Sequence, residues 1–421
     1  MNALPTTKGC PWDRLIDREN GFDATRLVLA TLVLLEHAYY LPNNSYQAEP
    51  LFLFSRGQTD FGSLAVNGFF VISGYLITRS CLMTNHAPRY AMKRLARIVP
   101  GFLLASYLGL FVIGPLGADD IRTYFASINW RATLVNMFSL HQSGAGYTFL
   151  HNPTRTMYDG TLWTIRYEFD CYLLVGLLWS LKLLRREIVV GLVIVLLICY
   201  GLQSLRVISL PVVNYGVPAI FMSSPNNWPR LFSYFFMGSA FYLCRDLIPK
   251  SIWIFAISVV SLLAALRWGG AHIAMLSAGV YVLFFLALSG GRTLRIAGQK
   301  IDLSYGIYLF GFPVQQLIIA WAGKPIGPEM LLLVSVPVTC GIAYLSWTLV
   351  EAPCLRWAHA RPRRGDIASH RSSRMGSPQK NLRVGLALAQ PRLLFRLLSG
   401  SPVLPRVRPL SYRSQKAKAH I

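Results

Sequence analysis

Apolar runs of about 18 to 22 residues recur along most of the chain, separated by short polar or basic connections. Runs of that length cross a hydrocarbon core as helices, and they are too long and too uniformly apolar for the alternating strands of a barrel. The pattern predicts an all-α, polytopic membrane protein with about ten transmembrane helices, at 24–41, 61–83, 100–117, 161–184, 188–205, 229–247, 251–268, 271–290, 303–322 and 329–350. The longest connection, 118–160, holds a further apolar piece at 134–140 and predicts a short re-entrant helix that leaves the parity unchanged.

Composition agrees with this pattern. The 421 residues are 53% hydrophobic and 14% charged, where a soluble domain carries nearer a quarter charged residues. Residues 1–22 form a polar N-terminal segment without the apolar core of a cleavable signal peptide. Residues 23–357 form the membrane domain. Residues 358–421 form a basic tail, rich in Arg, Pro and Ser, for which disorder is expected; an in-plane amphipathic helix at 382–398 would be interrupted by Pro391.

The net charge of +23 is uneven. From Arg356 onward there are 15 Lys and Arg against one acid, Asp366. Attraction to anionic lipid headgroups accounts for such a tail, and no nucleic-acid partner is expected. The remaining cations set an orientation. With the N-terminus in the cytoplasm, the inner segments hold Lys8, Arg14 and Arg18, then Arg89, Lys93, Arg94 and Arg97, then Lys182, Arg185 and Arg186, then Arg245 and Lys250, then Arg292, Arg295 and Lys300, then the tail. Every inner turn satisfies the positive-inside rule, which places both termini in the cytoplasm.

Seven scattered cysteines form no Cys-x-x-Cys pair, and most sit in apolar segments as packing residues. The eight histidines show no metal-ligand spacing, so no metal is expected.

Candidate chemistry begins in the first span, where Arg26 and His37 are eleven positions apart. On a helix they differ by about 20° in direction and about 16 Å along the axis, so they share one face. Ionisable groups inside a membrane are costly and mark functional sites. Arg26 also fits snorkelling to headgroups, and His37 also fits an interfacial polar position beside Tyr39 and Tyr40. In the second span Gly62, Gly68 and Gly74 suit close helix packing, while Ser73 becomes a nucleophile only with an adjacent base. Arg94 and Arg97, three apart, point the same way from a helical turn and suit phosphate. Arg166, Glu168 and Asp170 enter the membrane with the fourth span, as a structural ion pair or with Glu168 orienting an imidazole. Glu351 closes the tenth span, either solvated or paired with Arg94 and Arg97. No Gly-x-Ser-x-Gly, Walker or Rossmann pattern appears in context.

Together these segments resemble acyltransferase family 3, the integral-membrane O-acyltransferases. Arg26 and His37 are similar to its Arg-x10-His motif. Phe69-Phe-Val-Ile-Ser-Gly-Tyr75 resembles its Phe-Phe-x-x-Ser-Gly-aromatic motif, and Arg94-Leu-Ala-Arg97 with Ile98 and Pro100 its Arg-x-x-Arg-Ile-x-Pro motif. Trp163 with Glu168, Ser304-Tyr-Gly-Ile-Tyr-Leu309 and Glu351-Ala-Pro353 resemble later landmarks. The resemblance covers about residues 20–357. In Phe310-Gly-Phe-Pro313, Gly311 stands where many members carry histidine, and no hydrolase-like C-terminal domain is present.

The resemblance implies an O-acetyltransferase of the inner membrane. Its donor would be acyl-CoA, most simply acetyl-CoA, with no permanently bound cofactor. Its acceptor would be a hydroxyl of an envelope carbohydrate such as O-antigen, exopolysaccharide or another lipid-linked glycan, and its remaining partners membrane lipids. Arg26, Arg94 and Arg97 would hold the donor phosphates. His37 would be the base, oriented by Glu168 rather than by Glu36, which leaves the helix about 100° away. Ser73, Trp163 and Glu351 would support the site. Direct transfer and an acyl-His intermediate both stay open. A transporter of a sugar or acyl species is the alternative, although the paired discontinuous helices of two related halves are missing. A membrane-tethered interaction protein working through the tail is the third reading.

Overall fold

The computed structural model describes residues 12, 21–84, 86–142, 146–155, 159–212, 222–289 and 301–360. The expected tail beyond residue 360, including 382–398, lies outside the described residues, as do most of residues 1–22. Helices occupy all ten expected positions: α1 (Phe22–Tyr40), α2 (Phe61–Leu82), α3 (Ala87–Leu116), α4 (Trp163–Ser180), α5 (Arg186–Ser204), α6 (Trp228–Leu243), α7 (Ile252–Trp268), α8 (Ala271–Ser289), α9 (Ser304–Ala322) and α10 (Pro328–Ala358). No strand occurs among the described residues. Six of these helices, α2, α3, α5, α8, α9 and α10, are long and apolar enough to cross a membrane. Of the others, α6 and α7 have 16 and 17 residues, and α1 and α4 each carry three charged side chains. The chain is a multi-pass membrane protein. Large apolar side chains such as Ile257, Val260, Leu333 and Leu349 stand exposed on the bundle surface, where lipid solvates them. Exposed Trp253 and Trp268 mark the two ends of α7, the positions that amphipathic rings take at membrane interfaces.

Local chemistry sets the helix ends. Asp60 caps α2, its carboxylate accepting from Ser63 N at 2.6 Å and Ser63 Oγ at 2.8 Å. Ser251 caps α7, and Gly269 and Gly270, both at positive φ, turn the chain from α7 into α8. The basic stretch before the third expected span is itself helical, so α3 begins at Ala87 rather than near residue 100 and carries Pro100 in its interior. The expected re-entrant helix is two short helices, Ile121–Ser127 and Trp130–Phe138, neither long enough to cross.

Helices α2 and α9 form the centre of the bundle, and α5 lies at its edge. Small residues let α2 meet α6 backbone to backbone. A Cβ added at Gly74 would lie 1.8 Å from the Phe235 carbonyl oxygen, and one at Gly238 would lie 2.0 Å from that of Val71. Ser239 Oγ closes the same contact by donating to the Gly74 carbonyl at 3.2 Å. The buried Arg166 and Asp170 side chains pair at 3.0 Å along α4. Arg166 donates to the Ser139 carbonyl at 2.8 Å and Asp170 accepts from Ser223 N at 2.7 Å, which fastens two connecting segments to α4. This pair is structural, and it leaves Glu168 on a different face of the helix.

Candidate active site

A cavity of about 170 Å³ opens between α2, α3, α4 and α9. Arg26, Lys93, Arg94 and Arg97 line it together with Ser73, Glu168, Tyr172, Ser304, Tyr305 and Tyr308. Residues from four separate sequence segments that were singled out as candidates thus share one space. Arg94 and Arg97 reach it together because they sit one turn apart on α3.

The arginines differ in their partners. Arg97 donates to Asp302 Oδ2 at 2.6 Å, and Arg26 lies 4.0 Å from the same oxygen and 3.4 Å from Asp23. Asp302 also accepts from Ser304 N at 3.2 Å and Ser304 Oγ at 2.6 Å, which starts α9 beside the cavity. Burial alone would raise the Asp302 carboxyl, but the Arg97 and Arg26 guanidiniums and the Ser304 hydroxyl hold it well below the usual carboxylate range. Arg94 has no carboxylate partner among the described residues. It approaches Ser80 Oγ at 3.5 Å and lies over the rings of Tyr172 and Tyr90, with its buried Nε unpaired. An anion entering the cavity therefore meets its least neutralised guanidinium at Arg94.

Further along the cavity, Ser73 Oγ donates to Glu168 Oε1 at 2.7 Å, and Tyr172 OH donates to the same oxygen at 2.5 Å. Glu168 does not orient the imidazole, as the sequence reading expected. The carboxylate at His37 is that of Glu36, whose Oε2 lies 3.3 Å from His37 Nε2. The roughly 100° between consecutive helix positions is overcome because Gly62 leaves room on α2. A Cβ there would lie 2.8 Å from Glu36 Oε2. The Phe312 ring stands edge-on to His37, with centroids 5.1 Å apart.

His37 does not line the cavity. Val66, a lining residue, is four residues, or about 6 Å, along α2 from Gly62, which faces Glu36. Phe69 and Tyr308, edge to face at 5.8 Å, also line the cavity. The Tyr308 hydroxyl bonds the Thr161 carbonyl at 3.0 Å and Thr164 Oγ at 2.5 Å.

Two expected supporting residues lie elsewhere. Trp163 packs edge-on against Tyr167 at 5.7 Å and does not line the cavity. Glu351 is buried, accepts from Ser346 Oγ at 2.7 Å and interacts electrostatically with Arg97, whose direct carboxylate partner is Asp302. Gly311 faces Leu34, where an added Cβ would lie 2.7 Å from Leu34 Cδ1, so a larger side chain there requires the Leu34 side chain to shift. Asp302 and Tyr172 were missed. Both carried a signal: Asp302 caps an apolar run two residues before Ser304, and Tyr172 is four residues from Glu168 on one helical face.

The family model for the acyltransferase domain matches residues 19–351, which include His37 and every cavity-lining residue except Leu355. The chain belongs to acyltransferase family 3. This acyltransferase is 30% identical over 339 residues to an O-acetyl transferase of Shigella phage Sf6, across 79% of this chain and 95% of that protein. It is 26% identical over 353 residues to Nodulation protein 10 of Rhizobium leguminosarum bv. viciae, across 80% and 93%. No solved structure matches it. The arrangement of this acyltransferase offers an anion-binding end, a carboxylate–hydroxyl pair along the cavity and an imidazole beyond it.

Proposed function

We propose that this acyltransferase moves an acetyl group from acetyl-CoA, on the cytoplasmic side of the inner membrane, to a hydroxyl of an envelope carbohydrate such as O-antigen or exopolysaccharide. The observation that carries the reading is the cavity in which Arg26, Lys93, Arg94 and Arg97 converge. Guanidiniums bind phosphate bidentately and never lose their charge, which suits a polyphosphorylated donor. The positive-inside orientation puts this cationic end in the cytoplasm, where such a donor is found. The phage relative's name supplies the acetyl group and the oxygen acceptor.

In this reading the phosphates rest at the arginine end, and the thin arm runs along the cavity past Ser73 and Glu168, whose polar atoms suit its amides. The thioester then lies toward His37, about 16 Å from Arg26 along α1. His37 takes the proton of the acceptor hydroxyl as the oxygen attacks the thioester carbonyl. The carbon–sulfur bond breaks, and the leaving thiolate takes the proton from the imidazolium to give free CoA. Phe69 and Tyr308 stand where the thioester would pass. Both line the cavity, so their side chains move aside when the donor is seated.

Membranes containing the protein, given radiolabelled acetyl-CoA, are expected to place label in glycan. His37→Ala is expected to insert normally, to retain donor binding and to transfer none. Transfer retained by well-expressed His37→Ala overturns the reading.

A further inference from the structure

Three carboxylates, Glu36, Glu49 and Asp60, act on one another at the His37 end of α1. Two are already engaged. Asp60 caps α2 through Ser63, and buried Glu49 accepts from the backbone N–H groups of Phe52 and, at 3.4 Å, Phe61. Glu36 alone of the three turns to the imidazole, and both partners are largely buried, with 5% of the Glu36 and 12% of the His37 side chain exposed.

We infer that Glu36 is the positioning residue of His37. The inference rests on the reading of His37 as the base. A carboxylate oxygen 3.3 Å from Nε2 favours the neutral ring's hydrogen on that nitrogen and leaves the lone pair on Nδ1. Nδ1 is then the nitrogen that takes the acceptor's proton, after which the Glu36 charge stabilises the imidazolium. The device has two parts on two helices. Glu36 provides the acceptor, and Gly62 provides the space, since a Cβ at 62 would lie 2.8 Å from Oε2 and 3.1 Å from both Cδ and Cγ of Glu36. The Phe312 ring packs edge-on against the same imidazole. Glu168 turns its Oε1 to Ser73 and Tyr172 and makes no ion pair with His37 among the described residues.

The test uses the full-length protein in membranes and reads kcat and the donor KM separately. Glu36→Ala is expected to lower kcat about 100-fold, with the donor KM within about twofold, because the arginine end of the cavity is untouched. Glu36→Gln keeps an oxygen that accepts from Nε2–H and is expected to recover about tenfold of that loss. Gly62→Ala, which retains Glu36 but displaces its carboxylate, is expected to lower kcat about tenfold, with little further loss when combined with Glu36→Ala. Near-parental kcat in Glu36→Ala and Gly62→Ala, with His37→Ala inactive, overturns the positioning role and leaves His37 as the base. A Glu36→Gln as impaired as Glu36→Ala, with donor binding also lost, overturns it in favour of a structural role. Activity in His37→Ala would instead remove the underlying reading.

Discussion

Asp302 accepts a 2.6 Å hydrogen bond from Arg97, tying the start of α9 to the basic turn of α3. The same carboxylate lies 4.0 Å from Arg26 on α1, so one side chain joins three helices at the cationic end of the cavity. Only 12% of the Asp302 side chain is exposed. Removing one partner of a buried ion pair strands the other, at a cost of about 3 kcal/mol. Asp302→Ala is therefore expected to lower the thermal unfolding temperature of the detergent-solubilised protein. The pH dependence has a definite sign. The Asp302 carboxyl is held below its usual value, so its stabilisation is fully present above the unfolded-state value of about 3.9 and fades only in stronger acid. The loss in Asp302→Ala should then be the same from about pH 5 to 8. An unchanged unfolding temperature, or a loss that varies across that range, would contradict the pairing.

Arg94 and Arg97 look equivalent in sequence but differ in what neutralises them. Arg97 shares its charge with Asp302, while Arg94 has no carboxylate partner among the described residues. Arg94→Ala is expected to raise the KM for acyl-CoA by about tenfold or more, while kcat at saturating donor stays within about threefold. Arg94→Lys, which keeps the charge and loses the fork, should fall between. Steady-state kinetics with varied donor decide this. An unchanged donor KM in Arg94→Ala would remove it from phosphate binding.

Much of this arrangement is legible along the chain. Run lengths place the ten long helices, and the eleven-residue spacing separates Arg26, which lines the cavity, from His37, which does not. The three-residue spacing of Arg94 and Arg97 aims both inward. Glu36 is not legible in this way, because angular reasoning on α1 fixes where a Cβ leaves the helix but not where a carboxylate ends. Its end point depends on a missing side chain at Gly62, on another helix. The division of labour on α4 is similar. The i,i+4 spacing of Arg166 and Asp170 predicts their pairing, whereas the turn of Glu168 toward Ser73 depends on how α2 and α4 pack.

Asp159, just before α4, gives the fold a pH dependence of the opposite sign to that of Asp302. Its side chain is buried; Oδ1 accepts from Thr161 N at 2.8 Å and Thr161 Oγ at 2.7 Å, and Oδ2 has no hydrogen-bond partner. Burial pushes the carboxyl up to about 7, against the opposing pull of the Thr161 and Leu162 donors. An unfolded chain releases this proton near 3.9, so between the two values the folded state holds a proton that the unfolded state has lost. The stability from this group is thus fully present below about pH 4 and is lost as pH rises through about 7. Asp159→Asn copies the protonated form in shape and keeps an oxygen for Thr161. It is expected to raise the unfolding temperature at pH 8 and to flatten its pH dependence between about 4 and 7. Thermal unfolding of both proteins across that range is the measurement. A variant that keeps the parental pH dependence would show that Asp159 is not the group responsible.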